Sequence, residues 1–313
     1  MVVLLLLASF LLNIYAEEID GKVKEKTSSS ELEQEMIEDR QASHEDNNSS
    51  NEIDSYIRYL PSHSSGSQGG KIQIIQSGIG YSYDFKAFGE LPVELSLNPE
   101  YTNINNSTAV NFPSRLTQLS FGFNTTVPLF NIKGTYFYVE LDPSFYGDDW
   151  DFSSSNFLFE SRYAVIYRPN ERLSLVAGLE VNPVYRFPLS SKLHPYPISP
   201  LLGFIYKPND KLMFKILPDT PTVSYVFTDR VTLFIQESDS LKRYYVTRDN
   251  SRTKLDYSQS YLNAGVKFKI NKFIETSLSM GNTFRQILKY TDSTGKVTTR
   301  NGLFTEFRIE AKI

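Results

Sequence analysis

From Lys71 to Ile313 apolar and polar residues alternate with a period of two. Ile75, Ser77, Ile79, Tyr81, Tyr83 and Phe85 share one face of an extended segment; Gln76, Gly78, Gly80, Ser82, Asp84 and Lys86 share the other. The last segment is cleaner, with Leu303, Thr305, Phe307, Ile309, Ala311 and Ile313 alternating with Phe304, Glu306, Arg308, Glu310 and Lys312. Leu119/Phe121/Phe123, Phe137/Val139/Leu141, Leu173/Leu175/Ala177/Leu179 and Leu262/Ala264/Val266/Phe268 keep the same beat. Alternation at this density predicts β-strands. They are long, about ten to fifteen residues where soluble strands average five or six. A tilted strand crosses a bilayer in about 9–11 residues.

The connections sort into two classes. Tight polar turns recur at Tyr167–Leu173, Tyr206–Leu212, Tyr225–Val231 and Phe268–Phe273, and the first two are near copies 39 residues apart. Longer polar connections alternate with them at 103–114, 146–156, 187–198, 237–257 and 289–301. Short turns on the periplasmic side and long loops outside are the asymmetry of a bacterial outer-membrane barrel. Thirteen segments are clear, and closed bacterial barrels use even numbers, so Ile53–Leu60 is taken as the fourteenth. The expected fold is all-β: a single transmembrane antiparallel β-barrel of about 14 strands over residues 52–313. Twelve is the alternative if Leu212–Phe227 forms one interrupted strand.

The start of the chain adds a location. Val2–Ile14 is an apolar run of secretory length, followed by Ala16 at a small-residue cleavage position, so residues 1–16 read as a signal peptide, although no Lys or Arg precedes the run. Later runs stay short of the roughly 18 apolar residues a membrane helix needs. Residues 17–51 form an acidic leader expected to be disordered, with thirteen acidic and four basic residues between Glu17 and Asp54. Residues 56–313 then hold 28 basic and 23 acidic residues, so the formal charge of −4 belongs to the leader. That balance argues against a nucleic-acid partner. Twenty-two Phe and twenty Tyr favour pleated surfaces. The absence of Cys excludes disulfides, thiolate metal sites and Cys nucleophiles.

Turn punctuation adds a resemblance. Tyr206 to Lys211, Leu217 to Pro221, Tyr225, Asp229 to Leu233, Leu255-Asp256-Tyr257 and Ala264-Gly265-Val266 stand out. On these residues the stretch Tyr163–Phe284 resembles a family of bacterial outer-membrane β-barrel proteins of unknown function. Family members often carry a Gly-rich segment after the Asp-Arg turn, and here Gln236–Arg252 is polar instead. The resemblance implies a barrel in the outer membrane, contact with outer-membrane lipid and insertion by barrel-insertion machinery. It carries over no catalytic residue.

Candidate chemistry is sparse, and no enzyme activity, cofactor or metal is expected. The common nucleophile, metal and nucleotide motifs are absent. His194, in the Pro-rich stretch Pro188–Pro200, has Ser190 and Ser191 beside it, yet a triad is defined by geometry. Asp148, Asp149 and Asp151 could gather around Ca²⁺, but the spacing is not that of a calcium loop. The strand faces say more. Asp84, Glu94, Glu100, Glu140, Glu160, Arg162, Glu180, Lys267, Glu275, Arg285, Glu306 and Arg308 are expected to line the lumen. Charges of both signs would wet a pore and tune its selectivity, or pair across it and close it. A passive pore or transport barrel for small polar solutes is the first expectation. A plugged structural or enzymatic barrel is the second, and a soluble secreted β-sheet binding protein the third. Oligomeric state stays open.

Overall fold

A computed structural model of the protein describes residues 50–313 apart from 65–68, 88–90, 130–131, 183, 185–197, 219, 293–294 and 300–301. The apolar N-terminal run, nearly all of the acidic leader, and His194 with Ser190 and Ser191 lie outside the described residues.

In chain order the strands are β1 (Ser50–Ser64), β2 (Lys71–Ala87), β3 (Leu91–Asn106), β4 (Arg115–Pro128), β5 (Thr135–Gly147), β6 (Phe157–Asn170), β7 (Leu173–Val181) and β8 (Ile198–Asn209). There follow β9 (Leu212–Ile216), β10 (Thr222–Thr228), β11 (Val231–Arg248), β12 (Ser251–Lys269), β13 (Ile274–Tyr290), β14 (Lys296–Thr299) and β15 (Gly302–Lys312). Each pairs antiparallel with its sequence neighbour up to β13. β14 and β15 pair with successive stretches of β13 and make one stave. β15 then pairs with β1, from Tyr59↔Thr305 to Glu52↔Lys312, and the ring closes with fourteen staves. β9 and β10 have separate ladders, which removes the twelve-strand alternative.

Two expected loops are largely strand. The segment 237–257 is the upper part of a hairpin whose ladder runs unbroken for eighteen pairs, from Val231↔Phe268 to Arg248↔Ser251. Its turn is Asp249-Asn250, at φ 49° and 62°. Positive φ at both central residues belongs to the turn whose twist matches a β-hairpin, and Asp and Asn tolerate that region best among side-chain-bearing residues. Within 289–301, β14 extends the sheet.

Closure satisfies the backbone internally and leaves an apolar exterior, with Leu278, Met280 and Leu303 about as exposed as surface residues of a soluble protein, at 62%, 63% and 64%. The short-turn end is built on a repeated device. Asn170 Oδ1 accepts the Arg172 N–H at 2.9 Å, Asn209 Oδ1 accepts Lys211 N–H at 3.0 Å, and Asn271 Oδ1 accepts Phe273 N–H at 2.8 Å. Asn side chains in this role replace the missing backbone partner of a turn.

At the opposite end the wall bends inward. β12 and β13 change register between Ser260 and Tyr261, and on the same line β13 exchanges β15 for β14. A bulge of this kind increases local bend and twist. Above it, β11 has left β10: their ladder ends at Thr222↔Gln236, closed by Glu237 N–H to Pro221 O at 2.9 Å. The upper parts of β11–β14 cross the mouth as a cap, and Tyr245 reaches β5, pairing with Gly147.

Met280, outward on β13 and six residues above the turn end, tests the lipid face. Met280→Arg is expected to destabilise the barrel in bilayers by about 2–4 kcal/mol, read as a lower urea midpoint, whereas Met280→Leu leaves it unchanged.

Candidate functional site: the lumen

Register fixes which side chains face inward. Opposite residues of an antiparallel pair share a face, and in β1 and β2 the exposed Ile57, Tyr59, Ile79 and Tyr81 mark the outer one. Glu52, Asp54, Tyr56 and Arg58 therefore point inward, as do Gln76 and Asp84. Asp84 stands opposite Glu94 near the turn end, and Glu94 accepts a hydrogen bond from Asn124 at 2.8 Å.

One wall is a paired network. Arg58 Nε donates to Glu306 Oε2 at 2.7 Å, its Nη2 to Tyr261 Oη at 2.7 Å and its Nη1 to Gln76 Oε1 at 3.3 Å. The guanidinium also lies 4.4 Å from the centre of the Tyr261 ring. A buried cation needs both compensation and hydrogen bonds, and here β1, β2, β12 and β15 supply them. Arg308 adds Asp54 at 3.2 Å and Glu306 at 3.6 Å, and Lys267 pairs with Glu275 at 3.1 Å.

The other wall is acidic. Glu140, Arg162 and Glu180 form one row across β5, β6 and β7, with Arg162 at 3.6 Å from Glu140 and 3.4 Å from Glu180. Asp142 stands opposite Glu160 in the next inward row. Tyr138 Oη donates to Glu140 at 2.9 Å, Ser144 Oγ to Asp142 at 3.1 Å and Tyr146 Oη to Glu160 at 3.4 Å. These two rows hold four carboxylates and one guanidinium.

Above both walls sits the cap. Its underside presents Tyr244, Val246, Leu255, Tyr257 and Leu288 to Leu60, Ile74, Ile104 and Leu116, all buried in one apolar cluster. The Tyr244 ring meets Tyr146 edge-on at 5.5 Å, and Tyr290 Oη donates to Asn111 O at 2.7 Å. Among the described residues β8, β9 and β10 contribute nothing to that cluster.

The expected lumen residues separate accordingly. Glu140, Glu160, Arg162 and Glu180 come together, Glu306 and Arg308 pair side by side on β15 and with Arg58 and Asp54 of the adjacent β1, Asp84 and Glu94 share the turn-end rim, and Lys267 pairs locally. Arg285 stands opposite Ser260, on the line of the bend, and its side chain lies outside the described residues. Asp148 and Asp151 serve the cap, accepting the Thr247 N–H at 2.7 Å and the Arg252 guanidinium. Among the described residues no three His, Asp or Glu are grouped to hold a metal. Arg58 and Lys242 are absent from the sequence-based set, since β1 has weak alternation and 237–257 reads as a loop. The Asp249-Asn250 pair was the available signal.

Removing one member of the buried pair should be worse than removing both. Arg58→Met strands Glu306 and is expected to cost about 3 kcal/mol in urea unfolding, while the double change Arg58→Met with Glu306→Met costs much less.

A comparison with curated proteins gives no match. Among solved structures, the toluene transporter TodX of Pseudomonas putida is 9% identical, with a TM-score of 0.42 over 84% of this chain and 89% of that one. An outer-membrane channel from Pseudomonas putida F1 is 8% identical, at 0.44 over 85% and 95%. The translocator domain of the autotransporter NalP from Neisseria meningitidis is 10% identical, at 0.39 over 90% and 97%. Residues 92–307 match the profile described as "Domain of unknown function (DUF6268)", well over half of the chain, and the protein belongs to that family.

Proposed function

We propose that the protein is an outer-membrane transport barrel, exported through its N-terminal apolar segment, that passes small polar solutes passively and favours cations. The observation that carries this reading is the acidic wall of β5–β7. Its Glu140 and Arg162 side chains keep 28% and 32% of their exposure, so water reaches them inside the ring. A water-lined wall with excess carboxylate lowers the barrier for cations and raises it for anions.

A second reading has an observation of its own. The cap buries a continuous apolar cluster against β1–β4, so a barrel sealed throughout and serving a structural role is the alternative.

Planar-bilayer recording of the refolded chain separates the two. Discrete current steps with a cation-selective reversal potential in a KCl gradient are expected. Glu140→Lys with Glu160→Lys should shift that potential towards the chloride value. Silence from protein shown to be folded by a heat-shift gel would favour the sealed barrel.

A further inference from the structure

Among the described residues, an ion pair spans the lumen beneath the cap. Lys242 Nζ, on the cap portion of β11, meets Glu100 Oε1 of β3 at 2.6 Å. In the fourteen-stave ring β3 and β11 stand eight staves apart one way and six the other, close to opposite. The second oxygen of the same carboxylate accepts the Tyr56 Oη proton at 2.5 Å. The Tyr56 ring lies over Gly78, where a Cβ would come within 3.2 Å of Cζ, so a residue without a side chain is what lets the phenol reach Glu100.

The pair borders the apolar cluster, with Glu100 beside Tyr146 and Tyr244. The Lys242 and Glu100 side chains keep 21% and 16% of their exposure, and the lysine belongs to the same electrostatic neighbourhood as Asp142 and Glu160 on the acidic wall. Glu100 thus extends the carboxylates of β5–β7 towards β3, and one ammonium hangs from the cap among them. A lysine head on a four-carbon stem is a mobile point charge. Moving the cap would expose the buried underside described above.

From this geometry we infer that Lys242 is a tethered counter-ion: its ammonium occupies the place in the lumen that a permeating cation would take, and cations pass by displacing it from Glu100. The inference rests on the pore reading and adds its regulation. The ligand class is a monovalent cation or a solute carrying an ammonium or guanidinium group. Lys242 sets selectivity through the site it fills, and Glu100 is the group both cations contact.

The two members of the pair should then behave in opposite ways. Lys242→Met is expected to raise single-channel potassium conductance at least twofold and to make the reversal potential in a KCl gradient more cation-selective. Glu100→Gln, which removes the carboxylate and frees the ammonium, should make it less so. Lys242→Arg keeps a cation on the tether and should restore the parent selectivity. If the pair merely braced the cap, both neutral variants would loosen the same contact and shift selectivity in the same direction, and that result would overturn the proposal. Unchanged selectivity in conducting variants would overturn it as well, leaving the pore reading intact. Parent and variants that are all silent, with folding confirmed by heat-shift gels, would remove the pore reading and this one with it.

Discussion

Every backbone N–H and C=O that faces hydrocarbon must find its partner inside the protein, and the architecture follows from that constraint. An open sheet edge would be costly in lipid, so β15 returns to β1 over eight pairs. The chain keeps no helix long and apolar enough to cross a membrane among its described residues, and the strands do the crossing. With the backbone engaged in closure, side chains are left to divide between lipid and lumen by parity alone. One residue of slip would exchange the two faces of a whole stave. This is why the turns must be rigid, and why Asn170, Asn209 and Asn271 repeat the same bond to their own chain.

Much of this was legible in the sequence because parity is a local property. The alternation in β2, β12 and β15 announces both the strands and their faces, and the repeated Pro-Asn turns announce which end is which. The acidic row was legible in part: Glu140, Glu160, Arg162 and Glu180 show as inward residues, but their assembly depends on register, which the turns set and the sequence does not print. The cap was hidden. Its residues Glu237–Arg248 carry charge and hydroxyls on both faces, because one face meets water and the other mixes Lys242 with Tyr244 and Val246. That pattern resembles a loop. A turn of Asp249-Asn250 placed between two such stretches was the one local mark of a hairpin.

The interior puts its charges to two different uses. Around Arg58 each guanidinium nitrogen has a hydrogen-bond partner, and the group is enclosed by Glu306, Gln76 and the Tyr261 ring; such a group fixes the seam between β1 and β15 and offers nothing to a solute. On β5–β7 the balance is unequal, and carboxylates outnumber the guanidinium they share. Unequal charge in a wet lumen is the condition for selectivity, just as matched charge in a dry one is the condition for rigidity. The seam and the acidic wall lie on different staves, so altering one leaves the other's partners in place.

The cap also explains an irregularity in the wall. A strand that leaves a sheet withdraws the hydrogen-bond partners of its neighbour, and that neighbour must end or turn. β11 departs above Gln236, and β10 is 7 residues long and β9 is 5, shorter than any other full stave. The chain between them has Pro218 and Pro221, and a proline brings no N–H that would be left unpaired. Leu217 turns inward there, packing against the cluster of Ala164, Ile166 and Val176. Gly203 makes the turn possible, since a Cβ on it would meet Leu217 Cδ2 at 2.9 Å. Short staves, paired prolines and an inward leucine are thus consequences of one event, the departure of β11 to cover the lumen.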